Sequence, residues 1–198
     1  MIQKKICLLG ASSVGKTSLV KQFVHGIFND RYLTTIGVKI DKKIVSIENN
    51  EIQFLLWDIE GTDRYNAFQE RYLRGAAAYI IVVDQTRVSS LMEGIDIHNL
   101  ARKASNCPAI LAINKNDLQA NWQWETEGLE GYKNLFDLEF STSAKTGEKV
   151  DRLKDDIERY AKLTRMFLMI SRPPRSTRVY LSNDYVLGVN KSKPMLKF

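Results

Sequence analysis

A glycine-rich segment near the start of the chain has the spacing of a phosphate-binding loop. Gly10, Gly15, Lys16 and Thr17 fit the pattern G-x-x-x-x-G-K-[ST], between an apolar run and a sequence with helical periodicity. Such a loop points successive backbone N–H groups at an anion, and the N-terminus of the following helix adds a partial positive charge. We therefore expect Lys16 to reach the β- and γ-phosphates of a nucleotide and the Thr17 hydroxyl to bind Mg²⁺.

A second polar motif indicates a site for a purine base. Asn114, Lys115 and Asp117 form an N-K-x-D pattern directly after a buried apolar run. A carboxylate at Asp117 can accept hydrogen bonds from both N1–H and the exocyclic amine of guanine, a pair that adenine does not offer. Ser143, Ala144 and Lys145 follow the next predicted strand, where the backbone N–H of Ala144 would reach the guanine carbonyl. Each of these patterns is weak alone, but together with a phosphate loop they make a guanine nucleotide the expected ligand.

Alternating strands and helices must position these motifs. The phosphate loop lies between a predicted strand over residues 6–9 and a predicted helix over residues 17–24. The apolar runs at residues 80–83 and 109–113 favour central parallel strands, because neither alternates with polar residues. Ligands of such sheets bind at the carboxyl ends of the strands, where both motifs begin. The pattern predicts an α/β fold with a doubly wound, mostly parallel sheet.

The remaining elements complete that sheet. Residues 38–47 and 52–57 flank a turn-forming Asn-Asn pair, which predicts one antiparallel hairpin at the edge. Helical spacing around residues 95–103 and from 149 to 170, with a short strand at 139–141, accounts for the rest.

Composition and charge exclude several classes of protein. A chain of 198 residues with 44% hydrophobic residues is expected to form a single domain with one hydrophobic core. Two cysteines exclude a disulfide framework, which favours a cytoplasmic location. Residues 1–164 carry 22 basic and 22 acidic side chains, so the net charge of +6 lies in the last 34 residues. A neutral body argues against nucleic-acid binding.

Five motifs in the same order make the chain resemble the Ras superfamily of small GTPases, and its Rab branch most closely. Besides the three segments above, the resemblance rests on residues 32–37 (Tyr-Leu-Thr-Thr-Ile-Gly) and 57–61 (Trp-Asp-Ile-Glu-Gly), and it covers residues 3–165. It implies the P-loop GTPase fold, with Mg²⁺ and GTP or GDP as ligands.

The resemblance also implies roles for single residues. Thr35 would bind Mg²⁺ and the γ-phosphate, Asp58 would hold Mg²⁺ through water, and the N–H of Gly61 would contact the γ-phosphate. Phe28 would pack against the guanine, with ordinary core packing as the alternative, and Lys115 and Lys145 would flank the base. The nucleotide-binding residues expected in all are Gly10, Ser13, Val14, Gly15, Lys16, Thr17, Ser18, Phe28, Tyr32, Asn114, Lys115, Asp117, Ser143, Ala144 and Lys145.

Two positions depart from the family pattern. The residues expected to act in GTP hydrolysis are Lys16, Thr35, Gly61 and Thr62. Thr62 stands where the family has a glutamine that positions the attacking water, and its side chain is too short for that task. We therefore expect the protein to hydrolyse GTP only slowly. The family usually has a small residue where this chain has Glu60. A carboxylate ~6 Å from the γ-phosphate would cost about 3 kcal/mol at an effective dielectric constant of ~20. Glu60 either opposes bound GTP, unless it pairs with a cation such as Arg64, or points to solvent.

The resemblance further implies a switch whose partners bind two segments. Residues 30–40 and 60–75 would be ordered by the γ-phosphate and would contact effector, exchange-factor and activating proteins. The side chains of Ile36, Trp57, Phe68 and Tyr72 would form the effector patch, unless they belong to the hairpin core.

The last segment differs from the family's lipid-modified ends. No cysteine follows Cys107, so we expect no prenyl anchor and at most weak electrostatic membrane contact through the basic tail. We divide the chain into a small GTPase domain over residues 1–170 and a basic C-terminal extension over 171–198, which forms either a small hairpin or a disordered tail. A monomer is expected.

The functional hypothesis is a guanine-nucleotide switch with slow GTPase activity in signalling or trafficking. A GTP-binding interaction protein with negligible hydrolysis is the alternative, favoured by Thr62 and Glu60. A phosphotransferase using the same loop is a third, but no acceptor-binding lid with arginines is evident.

Replacing Thr62 by glutamine tests whether the residue at position 62 limits the rate of hydrolysis. We expect Thr62→Gln to accelerate single-turnover hydrolysis of bound GTP, because the longer side chain can orient the attacking water. Thr62→Ser, which restores no amide, is the control. Equal rates for Thr62→Gln and the wild type would refute the water-positioning argument.

Overall fold

The computed structural model describes residues 2–29, 34–47, 50–61, 70–120 and 130–150. Six strands and three helices alternate in it, together with a short 3-10 turn at Glu70–Leu73. The strands are β1 (Ile2–Leu9), β2 (Val38–Ile47), β3 (Asn50–Ile59), β4 (Ala76–Asp84), β5 (Ala109–Asn114) and β6 (Leu138–Ser141). The helices are α1 (Lys16–His25), α2 (Val88–Ala104) and α3 (Glu130–Lys133).

The strands form one sheet in the order β2-β3-β1-β4-β5-β6. Only β2 and β3 run antiparallel, from Val38 opposite Ile59 to Ile47 opposite Asn50, and the other neighbours are parallel. The predicted mostly parallel sheet with one antiparallel edge hairpin is thereby confirmed.

Buried side chains cover both faces of the central strands. Along β1, Ile6 and Leu8 join the cluster that packs on α1, whereas Cys7 and Leu9 join the cluster that packs on α2. Strands β4 and β5 alternate in the same way, which explains their unbroken apolar sequences. With both faces covered, the carboxyl ends of these strands are left to carry the polar loops.

Helix α2 begins earlier than the predicted helix around residues 95–103. It starts at Val88, and its first turn contains Ser89 and Ser90, which conceal the apolar periodicity. The Ser90 hydroxyl is fully buried, accepts a hydrogen bond from the Asp84 N–H at 2.9 Å and lies 2.7 Å from the Arg87 carbonyl. This serine therefore fixes the start of α2 against the end of β4. The predicted helix over 149–170, the extension over 171–198 and the Asn-Asn turn at 49 lie wholly or partly outside the described residues.

A buried histidine joins α2 to the sheet. Nδ1 of His98 lies 3.2 Å from the hydroxyl of Tyr79 on β4, and its ring stands 4.5 Å from that of Phe136. Burial lowers the pKa of His98, and the nearby Arg102 guanidinium lowers it further, against an opposing effect of Asp137.

We expect this histidine to make stability depend on pH. Below pH ~6.5 His98 becomes protonated in the unfolded chain, whereas burial opposes its protonation in the native state. As the pH falls, the free energy of unfolding therefore decreases by up to about 1.4 kcal/mol per pH unit. His98→Gln should remove that part of the acid sensitivity in urea unfolding between pH 7.5 and 5. The exposed His25 provides the matched control, His25→Gln; equal pH slopes for His98→Gln and the wild type would contradict the prediction.

Candidate nucleotide-binding site

One cavity of about 350 Å³ opens at the carboxyl ends of the strands, within the range of ~300–1,000 Å³ usual for small-molecule sites. It is lined by most of the predicted site residues: Ser13, Gly15, Lys16, Thr17, Ser18, Phe28, Thr35, Gly61, Asn114, Lys115, Asp117, Ala144 and Lys145. Gly10, Val14, Asp58 and Ser143 are buried in the loops and strands that form its walls. Tyr32 and Thr62 lie outside the described residues.

The phosphate loop ends at a glycine that no other residue could replace without strain. Gly15 has φ +97°, and a Cβ built on it would lie 2.3 Å from Nδ2 of Asn114. Helix α1 starts at the next residue, and no side chain caps its N-terminus. Its first N–H groups therefore remain available to an anion in the cavity.

The lysine of the loop is almost completely buried. Nζ of Lys16 donates hydrogen bonds to the carbonyls of Gly10 and Ala11, both at 2.8 Å. Burial lowers the pKa of Lys16 to about 8, although Asp58 and Glu60 act in the opposite direction. The loop thus holds a desolvated ammonium group, which a phosphate would stabilise.

Three oxygen-bearing side chains meet beside this lysine. The Thr17 hydroxyl donates to Oδ2 of Asp58 at 2.6 Å and lies 2.7 Å from the Thr35 hydroxyl. The other carboxylate oxygen, Oδ1, is buried without a hydrogen-bond partner, and burial raises the pKa of Asp58. An orphaned carboxylate oxygen next to two hydroxyls is a hard donor set, so these residues fit Mg²⁺. In the described part of the chain, no group of three or more His, Cys, Asp or Glu side chains offers another metal site.

Asn114 connects the phosphate loop to the loop that follows β6. Its Nδ2 donates to the carbonyl of Val14 at 2.9 Å, and its Oδ1 accepts from the N–H of Ala144 at 3.1 Å. The Ser143 hydroxyl donates to Oδ1 of Asp117 at 2.6 Å. The Asp117 carboxylate is therefore held in one orientation at the cavity wall.

An acidic residue that the sequence analysis missed supports the neighbouring lysine. Asp84, at the end of β4, accepts a hydrogen bond from Nζ of Lys115 at 2.6 Å, and this contact is part of what lowers the pKa of Asp84. Arg87 pairs with the same carboxylate and donates to the Ser12 carbonyl of the phosphate loop at 2.8 Å. Asp84 is the last residue of the buried strand β4, as Asn114 is of β5, and this position in the sequence could have indicated that Asp84 lies at the site.

Comparison with known proteins identifies the family. The model of the Ras family matches residues 5–163. Ras-related protein RabJ of Dictyostelium discoideum is 35% identical over 153 residues, which span 76% of this chain and 60% of that protein. Ras-related protein Rab-5A of the same organism is 38% identical over 156 residues, 77% of this chain and 78% of that protein.

The chain belongs to the Ras family. Its relatives place it near the Rab branch, so it is a Rab-like small GTPase with the P-loop fold predicted from the motifs. Within the described residues, no helix is long and apolar enough to cross a membrane.

The two segments predicted to contact partners are described in part. Ile36 is 87% exposed, whereas Trp57 and Tyr72 are half-buried and pack against the core on the α2 side. Of the three predicted patch residues that the structure describes, Ile36 alone is largely exposed; the fourth, Phe68, lies outside the described residues. The Glu60 carboxylate lines the cavity and accepts a hydrogen bond from the Gly37 N–H, so it does not simply point to solvent. Arg64 also lies outside the described residues.

Removing the connecting amide should loosen the whole site of this Ras-family protein. We expect Asn114→Ala to accelerate dissociation of a fluorescent GDP analogue at least tenfold, because a buried carbonyl and N–H lose their partners, at ~1–3 kcal/mol each. The control is Asn116→Ala, whose amide makes only an exposed 3.3 Å hydrogen bond to Glu148. A dissociation rate within twofold of the wild type for Asn114→Ala would contradict this role.

Proposed function

We propose that this protein binds GTP and GDP with Mg²⁺, hydrolyses GTP slowly, and acts as a switch in signalling or trafficking. The observation that carries the proposal is that one and the same cavity is lined by Lys16 at an uncapped helix N-terminus and by Asp117. A phosphate group suits Lys16 and the helix N-terminus, and a base that offers two adjacent donors suits Asp117.

Guanine specificity rests on the orientation of one carboxylate. The Ser143 hydroxyl holds one oxygen of Asp117, and Phe28, Ala144 and Lys145 line the same cavity. A carboxylate accepts hydrogen bonds and donates none, so it favours N1–H and the amine of guanine over the acceptor N1 of adenine. Asp117 therefore favours guanine over adenine.

The metal would be held by the oxygen cluster. Thr17 and Thr35 supply hydroxyl oxygens, and Asp58 supplies a carboxylate whose second oxygen has no hydrogen-bond partner. When bound, Mg²⁺ neutralises charge on the β- and γ-phosphates. The chain itself contributes the Lys16 ammonium and the N–H groups at the start of α1, which neutralise and orient the same phosphates.

Slow hydrolysis follows from the residue at position 62. Phosphoryl transfer requires a group that orients the attacking water, and Thr62 lacks the reach of the glutamine that it replaces. The alternative, nucleotide binding with negligible turnover, is favoured by the same residue and by Glu60 at the cavity wall.

We also propose binding partners and domain boundaries for this chain. Residues 30–40 and 60–75 bind effector, exchange-factor and activating proteins, and the exposed Ile36 contributes an apolar contact. The GTPase domain spans residues 1–170, and the basic extension over 171–198 makes at most weak contact with anionic membranes. The protein acts as a cytoplasmic monomer and does not bind nucleic acid.

A loading experiment tests binding and hydrolysis separately. The full chain is stripped of nucleotide, loaded with GTP and Mg²⁺, and the extracted nucleotide is followed by chromatography over hours. We expect bound GTP that converts slowly to GDP. GTP that persists unchanged would support the binding-only alternative, and failure to load GTP or GDP at all would refute the proposed function.

A change of base preference tests the role of Asp117. Asp117→Asn replaces an acceptor by a donor at one position, so the variant should lose at least tenfold in GDP affinity and gain in affinity for xanthosine diphosphate. Competition titration against a fluorescent nucleotide measures both. Because Asp137 lies outside the cavity, Asp137→Asn is the control; GDP affinity retained by Asp117→Asn would count against the base site.

A further inference from the structure

A reciprocal contact joins the two segments that border the phosphate end of the cavity. The Glu60 N–H donates to the Gly37 carbonyl at 2.8 Å, and the Gly37 N–H donates to Oε2 of Glu60 at 2.7 Å. The paired residues are the next step of the β2–β3 ladder, beyond Val38 and Ile59. A regular antiparallel pair would use the Glu60 carbonyl as the second acceptor. Here the side-chain carboxylate takes that place, so the contact depends on the residue type at position 60.

The backbone at Gly37 is adapted to this contact. It has φ +72°, a conformation that residues with a side chain rarely adopt, and a Cβ built there would meet nothing within 4 Å. A substitution at position 37 therefore disturbs the backbone conformation without creating a clash. This offers a second way to weaken the same contact.

Both partners sit next to residues with assigned roles at the phosphate end. Thr35, two residues before Gly37, contacts Thr17 of α1 at 2.7 Å. Gly61 follows Glu60 and packs so closely on the phosphate loop that a Cβ would lie 2.6 Å from Cα of Ser12. The contact thus ties the residues that border the phosphates in one segment to those in the other.

We infer that Glu60 is a positioning residue that ties residues 34–37 to residues 60–61 through protein atoms alone, in both nucleotide states. This inference rests on the proposed function. In the proposed switch the γ-phosphate tethers Thr35 and Gly61, but a carboxylate that already links the two segments supplies part of the same restraint. The start of β2 therefore responds less to the presence of the γ-phosphate than it would with a small residue at position 60.

Hydrogen exchange of the full chain, loaded with GDP or with a non-hydrolysable GTP analogue, tests the tie. We expect the wild-type peptide that contains residues 34–47 to exchange at rates that differ less than threefold between the two nucleotides. Glu60→Ala removes the acceptor and should raise exchange in the GDP state about tenfold, a typical effect of losing a hydrogen bond to a charged group. Glu60→Gln keeps an oxygen at the same position and should restore most of the protection.

Two further variants separate the tie from general destabilisation. Gly37→Ala should loosen the same peptide, and combining it with Glu60→Ala should add little, because both disrupt one contact. Glu51→Ala removes an exposed glutamate from β3, the strand that precedes Glu60, and should leave exchange unchanged. Similar melting temperatures across the set would exclude unfolding as the cause.

The outcomes distinguish this inference from the proposed function. If the protein binds nucleotide but Glu60→Ala leaves exchange unchanged, the role of the carboxylate oxygen is overturned. The same holds if Glu60→Gln and Glu60→Ala raise exchange equally. A wild-type protein that binds neither GDP nor the analogue would overturn the proposed function and, with it, the premise of the tie.

Discussion

The site depends on one buried amide. Asn114 lies at the end of β5 with 1% of its surface exposed, and its two polar atoms bind the Val14 carbonyl on one side and the Ala144 N–H on the other. A side chain of another length would leave a buried donor or acceptor without a partner, which costs more than the hydrogen bond itself is worth. The distance between the phosphate loop and the loop around Ala144 is therefore set by the protein, and the glycine at position 15 is required because the Asn114 amide occupies the space of a Cβ.

Charged groups around the cavity are hydrogen-bonded to other parts of the protein before any ligand contributes. The Lys16 ammonium is bound by two loop carbonyls, and Lys115 is bound by Asp84. Asp58 shares only one of its carboxylate oxygens with Thr17 and Thr35. The arrangement is fixed in the folded chain, so little reorganisation is needed when charge is added at the cavity, which is the condition under which electrostatic stabilisation is most effective.

Patterns local to the chain predicted most of this architecture, and contacts between distant segments were harder to foresee. The buried runs of β4 and β5 and the two polar motifs predicted the parallel sheet and the edge where the site lies, because parallel strands must end at the same edge. The pairing of Lys115 with Asp84 and that of Glu60 with Gly37 join residues far apart in sequence, where spacing gives no signal. Helix α2 starts at Val88, before the apolar periodicity from which the helix was predicted, because its first turn is fixed by the buried hydroxyl of Ser90.

The position of β2 has a consequence for the behaviour of the protein at high concentration. It is the outer strand of the sheet formed by the described residues, so one side of its backbone has no neighbouring strand there. Ile40 and Ile44 are half exposed on it, at 46% and 54%, and such an edge can recruit a strand from another molecule. Lys39 on this strand pairs with Asp41 at 2.9 Å, but Lys42 is also exposed there, and like charges brought together by edge-to-edge pairing would repel. Salt, by screening the Lys42 charge, should therefore promote self-association of the folded protein.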